Sequence, residues 1–149
     1  MRETIHPVRI VYPCRIIALA VAIAIALKVF VLDIVIVQGR SMLPTLVPGD
    51  VVLVVKAYYG LRSPLSGRYW LRWHTPQPGD LVVVQQPNHQ LDIIKRCDTV
   101  HQNEVFVLGD NYENSIDSRA FGPVSRDMVR GKALPFPGVS LRALATIAP

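Results

Sequence analysis

The longest apolar stretch of the chain runs from Ile16 to Val37 and is broken only by Lys28 and Asp33. From Ile16 to Leu27 every residue is Ala, Ile, Leu or Val. A membrane-crossing helix needs about 20 apolar residues. The unbroken part is short of that, and 12–32 reaches it if the Lys28 ammonium snorkels to the interface. The pattern predicts a membrane anchor over 16–37 with its core at about 12–32, after a short segment 1–15. A removable signal peptide is the alternative, but no Ala-x-Ala-like stop follows the stretch. Arg2, Arg9 and Arg15 precede it and favour a cytoplasmic amino end, a bias that Lys28, Arg40 and Lys56 reduce.

Beyond residue 37 the period changes. Pro48-Gly49-Asp50 launches Val51-Val52-Leu53-Val54-Val55, and Pro78-Gly79-Asp80 launches Leu81-Val82-Val83-Val84. Each reads as a tight turn feeding a β-branched strand, and continuous apolar runs of this length predict strands covered on both faces. Further strands are expected over 91–97, 104–108 and 128–134. With 12 prolines and 9 glycines in the chain, no long helix is expected after residue 40. The fold class is therefore mainly β: one N-terminal transmembrane helix, a small β domain over 38–134, and a C-terminal tail over 135–149. That tail is apolar but broken by proline and too short to span a bilayer.

Charge and composition narrow the function. The net charge is +5, from 16 basic and 11 acidic residues. The arginines are scattered and no recognition helix is visible, which argues against nucleic acid; an anionic lipid surface accounts for the excess more simply. Cys14 and Cys97 should lie far apart, and no cysteine or histidine cluster has metal spacing, so neither a metal nor a cofactor is expected. Residues 57–77 hold Tyr58, Tyr59, Tyr69, Trp70 and Trp73. Core packing is the plain reading of these rings, and a face dipping into the bilayer surface is the functional one.

The candidate chemistry sits in three segments. If 91–97 is a strand, Leu91, Ile93, Lys95 and Cys97 share one face, so Lys95 is a lone charge among apolar neighbours. A lysine so placed loses its proton more readily, although most strand lysines simply turn outward. Ser41 opens Ser41-Met42-Leu43-Pro44-Thr45-Leu46, where Pro44 fixes the backbone and Met42 and Leu43 supply apolar walls. A serine hydroxyl is a weak nucleophile until a base takes its proton, and an uncharged lysine is such a base. The third segment, residues 109–119, is polar. It fails as an EF-hand loop, because the sixth position counted from Asp110 is Ser115 rather than glycine. If this segment is extended, Asp117 and Arg119 share a face and could pair.

Together these segments resemble the ordered motifs of type I signal peptidases. Gly39-Arg40-Ser41-Met42-Leu43-Pro44-Thr45-Leu46 resembles the nucleophile motif, and residues 49–62 the box that follows it. Ile94-Lys95-Arg96 resembles the base motif; Gly109-Asp110-Asn111, Asn114-Ser115 and Asp117-Ser118-Arg119 resemble the last box. The resemblance implies an anchored endopeptidase without cofactor. By it, Ser41 attacks, Lys95 is the general base, Ser115 orients the lysine, Asp117 and Arg119 shape the site, and Met42 and Pro44 help form the cleft. It further implies preprotein signal or leader peptides as partners, bound extended at a strand edge with small side chains at the first and third positions before the cut. The catalytic domain would lie on the outer side of a bacterial membrane, with an organellar inner membrane as the alternative. Two features depart from the pattern. Gly39 stands where some members carry a hydroxyl oxyanion donor, and only a short connection separates Lys95 from Gly109, which leaves no room for a large accessory β region. This describes a compact variant.

Rival readings remain at this stage. A Ser-His-Asp hydrolase would need His6, His74, His89 or His101 in a telling motif, and none is. Self-cleaving repressors share the serine–lysine pair but carry a DNA-binding domain where this chain has an anchor. The other class is a non-catalytic anchored β domain that binds export partners or an active protease subunit. Oligomeric state is not legible.

Overall fold

A computed structural model describes residues 11–87 and 91–140, with side chains over 13–87 and 91–136. Helix α1, Val11–Ala26, continues into a π-helical turn, Leu27–Val31. Together they give one candidate membrane span, Pro13–Val31, with none of it buried. A helix apolar on every face has no soluble partner to bury it, as expected of a lipid-facing segment. At Leu32 the backbone becomes extended, and its N–H closes the last turn onto Leu27 O.

The expected anchor over 16–37 is therefore divided. Its end is a strand, β1 (Leu32–Ile36), paired antiparallel with β2 (Asp50–Val55). The physical reason is local: Ile34, Val35 and Ile36 are β-branched, and Asp33 finds Lys56 at 2.9 Å. Five more sheet strands and a short hairpin follow. The hairpin is β3 (Gly60–Arg62) with β4 (Tyr69–Arg72); the sheet adds β5 (Leu81–Gln85), β6 (Asp92–His101), β7 (Glu104–Leu108), β8 (Val124–Ser125) and β9 (Val129–Ser140). A short helix, α2 (Ser118–Phe121), precedes β8. The seven-stranded sheet has the order β1-β2-β9-β5-β6-β7-β8.

Two apolar clusters fill the domain. One gathers Val37, Met42, Leu46, Val52, Val54, Leu81 and Val83; the other gathers Tyr59, Val82, Val84, Cys97, Val105, Val107, Val124 and Val129. β5 feeds both from alternate residues, so Leu81 to Val84 are all buried, as a doubly covered strand requires. The run in β2 instead alternates: Val52 and Val54 are buried while Val51, Leu53 and Val55 are half-exposed. Next to it, β1 and β9 leave Ile34, Ile36, Leu134 and Phe136 exposed. β9 extends past the expected domain limit of 134, with the ladder shifting between Asp50 and Val52 opposite Pro135 to Ser140. Residues 1–10 and 141–149, with His6 and His89, lie outside the described residues.

Candidate active site

β6 places Lys95 opposite Val82, in a part of the strand that pairs with β5 alone. Pairing with β7 begins only at Arg96 and Leu108, after which the chain leaves the sheet at Gly109. Strand alternation puts Ile94 in one apolar cluster and Ile93 and Cys97 in the other. Lys95 is 3% exposed, and its amine donates to Ser115 Oγ at 3.0 Å. Ser115 Oγ donates in turn to Asp117 Oδ2 at 2.7 Å. Asp117 is fully buried and satisfied from several sides: by Gly109 N at 2.9 Å, by Arg119 N, and by the Arg119 guanidinium at 2.8 Å. Arg119 also stacks over the Tyr112 ring.

These environments set the charges. Burial pushes the Lys95 ammonium below the usual lysine range; Asp117 pulls the other way and Arg119 adds to the depression. For Asp117, burial favours the neutral acid, but the bonds from Arg119, Gly109 and Ser115 outweigh it and hold the carboxyl well below the usual carboxylate range. The result is an ionised carboxylate, a serine wired to it, and an amine biased toward its free base. The nearby Cys97 thiol is pushed up to about 11 by burial, so it stays protonated and is no competing nucleophile.

Ser41 begins the turn after β1, held by Leu43 N to Arg40 O and Leu46 N to Met42 O. Its carbonyl accepts Asn111 N at 2.9 Å, and Asn111 Nδ2 donates to Arg40 O at 3.0 Å. The contact with the lysine side of the site runs through Gly109. A Cβ placed there would lie 2.1 Å from Ser115 Oγ and 2.6 Å from Ser41 O. Ser41 and Ser115 thus meet at one glycine, and Lys95 joins them through Ser115. Lys95 Nζ bonds to Ser115, and among the described residues Ser41 Oγ makes no hydrogen bond. Arg96 fastens the same region from the other strand face. Its guanidinium grips Asp110 at 2.7 and 2.8 Å and reaches Gly79 O at 2.9 Å and Thr45 Oγ1 at 3.4 Å.

In front of Ser41 is a cleft of about 590 Å³, lined by β1 and its extension to Met42 on one side and by Leu91 to Ile94 on the other. Among the described residues both walls are strand edges without a partner: β1 pairs with β2 alone, and β6 before Arg96 pairs with β5 alone. Met42, 2% exposed, lines the cleft; Pro44 is exposed and lies outside its lining. His74 bonds Tyr58 O, and His101 ends β6; neither lines this cleft. Asn111, Gly109 and Arg96 were not given roles from the sequence. The only signal for them was their place inside the polar segments flanking Lys95 and Ser115.

An apolar helix thus leads into a β domain in which the Ser41 turn packs at Gly109 beside Ser115, the serine that holds a buried lysine. The chain belongs to the signal peptidase family, peptidase S26, whose model matches residues 10–98 and 96–136. It is 40% identical over 60 residues to Signal peptidase I of Buchnera aphidicola subsp. Schizaphis graminum, covering 40% of this chain and 19% of that protein. It is 30% identical over 119 residues to the Mitochondrial ATP-independent inner membrane protease subunit 1b of Arabidopsis thaliana, 64% of each chain. It is also 33% identical over 118 residues to the Mitochondrial inner membrane protease subunit 2 of Danio rerio, 65% of this chain and 59% of that one. The matched part spans about a fifth of the Buchnera relatives and under two thirds of the Arabidopsis one.

Proposed function

We propose that this chain is a membrane-anchored serine endopeptidase that removes signal or leader peptides from exported preproteins, with Ser41 as nucleophile and Lys95 as general base. The observation that carries the reading is the Lys95 amine, 3% exposed and hydrogen-bonded at 3.0 Å to Ser115 beside the Ser41 turn. Family membership and the names of the relatives support it.

In the proposed reaction a substrate strand lies between the free edges of β1 and β6 and its scissile carbonyl meets Ser41 Oγ. The Ser41 proton passes to the Lys95 free base as the tetrahedral oxyanion forms, and the Ser41 N–H donates to that oxyanion. The lysine then gives its proton to the leaving amine, and an ester remains on Ser41. Water, deprotonated by Lys95, hydrolyses the ester. Ser115 holds the amine in line, and Asp117 with Arg119 fixes Ser115. No hydroxyl stands at Gly39, so the second oxyanion donor is a backbone N–H or water.

The amino end lies in the cytoplasm and the catalytic domain on the outer side of the membrane, by the basic residues before the span. Trp70, 62% exposed, packs its ring 6.2 Å from Phe30 at the end of the span, which supports a lipid-facing hairpin. The test uses detergent-solubilised full chain and a preprotein, comparing wild type with Ser41→Ala and Lys95→Ala, with and without a metal chelator. Cleavage is expected from wild type alone, chelator or not. Equal cleavage by Ser41→Ala would refute the nucleophile, and no cleavage by any version would favour a non-catalytic, partner-binding domain.

A further inference from the structure

The cleft at Ser41 does not end at β1. A second cavity of about 340 Å³ adjoins it, at the foot of the membrane helix between Val29, Phe30 and the middle of β1. The two share Val35, Val83 and Asp92, so they are successive sections of one groove. No loop separates the helix from β1, and the groove therefore follows a single continuous run of chain from the end of the span to the nucleophile.

The sections differ in chemistry. The wall near Ser41 is mostly aliphatic, whereas the section at the helix foot holds three cations, Lys56, Arg62 and Arg130, against two carboxylates, Asp33 and Asp92. Both carboxylates are engaged: Lys56 pairs with Asp33 at 2.9 Å and Arg130 with Asp92 at 3.2 Å. Arg62 donates to the carbonyl oxygens of Gly67, Asp127 and Val129, and among the described residues it has no carboxylate partner. Carbonyl dipoles do not cancel its charge, and burial together with nearby Arg130 makes the cation less comfortable there. One positive charge is left over in a partly enclosed site.

An extended peptide beside β1 advances about 3.3 Å per residue, so its positions keep step with those of the strand. Ser41 marks the cut, and Asp33 to Val35 mark the charged section. A substrate whose own apolar stretch lies in the same bilayer must run from the helix foot toward Ser41. We propose that this section is an upstream subsite that receives the substrate residues roughly five to eight positions before the scissile bond and favours acidic over basic side chains there. The subsite rests on the endopeptidase reading for its substrate.

The test uses full-length Ser41→Ala in detergent micelles and fluorescent peptides that span a cleavage site and differ only by Glu, Gln or Lys six residues before the cut. Affinity is expected to fall in that order, with about a tenfold spread between Glu and Lys. On the same background Arg130→Gln should shrink the spread and Arg130→Lys restore it. Asp92→Asn, which removes a carboxylate, should widen it. Equal affinity for the Glu and Lys peptides, or binding of none, overturns the subsite. The same peptides are offered to the active chain. An unchanged affinity order with no cleavage would sink the endopeptidase reading and leave the subsite standing.

Discussion

Gly109→Ala tests the convergence of the site through a single methyl group. The added Cβ would sit 2.1 Å from Ser115 Oγ, 2.5 Å from Ser115 Cβ and 2.6 Å from Ser41 O. Comfortable separations between such atoms are about 3.5–4.0 Å, so the neighbours must retreat by on the order of 1 Å. The contacts involve the nucleophile's own backbone and the serine that holds Lys95, and no flexible side-chain end is available to yield. A displacement of about 1 Å between reacting groups costs about 10²-fold in rate, or about 2.7 kcal/mol of transition-state stabilisation. Overpacking also costs about 1–3 kcal/mol of stability. The assay is kcat for cleavage of a preprotein by full chain in detergent, with circular dichroism and a thermal melt to confirm the fold. Gly39→Ala is the matched control for folding, since a Cβ there meets nothing of the protein within 4 Å. Gly109→Ala should lose about two orders of magnitude in kcat, and Gly39→Ala should leave the melt unchanged. A folded Gly109→Ala protein cutting at the wild-type rate would refute the proposed geometry.

Other expectations follow from the same contacts. Ser115→Ala removes the acceptor of the Lys95 amine and should lower kcat by about 10- to 100-fold with little change in KM, measured by initial rates. Because the free amine is the reactive form and burial depresses its pKa, the rate should climb with pH through a value below the usual lysine range; Lys95→Arg, always protonated, should lose at least about 10²-fold at every pH. The unfolded chain binds that proton more tightly, so thermal stability should rise with pH between the depressed value and the ordinary 10.5. Asp117 has the same sense in a lower window: its folded pKa is also depressed, so its contribution is present above the usual carboxylate range and is lost as pH falls, and an acid-induced melt should shift when Asp117→Asn is made. The 2 tryptophans, Trp70 and Trp73, should be quenched by brominated acyl chains in reconstituted full chain, and quenching by aqueous iodide alone would place that hairpin in water.

The strands with β-branched runs were legible because turn residues bracket them, as at Pro48-Gly49-Asp50 and Pro78-Gly79-Asp80. β1 was hidden inside the apolar stretch: hydropathy does not distinguish a lipid-facing helix from an edge strand, and only the partner Lys56 explains where Asp33 goes. The β3–β4 hairpin escaped notice because its residues look like a polar–aromatic loop, and its pairing depends on register rather than on pattern. For the site, the ordered motifs pointed to Lys95 more than strand alternation did, and Asp117 pairs with Arg119 not along an extended segment but as the cap of α2. The convergence on Gly109 was not readable, since it depends on two loops from opposite ends of the domain meeting at one atom that is not there.

The most direct measurement is to trap the acyl group. Full chain mixed with an activated-ester peptide substrate, quenched within one turnover and digested, should carry the acyl mass on the fragment containing Ser41. The acylation rate should increase with pH through the depressed lysine value and collapse in Lys95→Met. An adduct on another residue, or equal labelling of Ser41 in Lys95→Met, would contradict a serine activated by that amine.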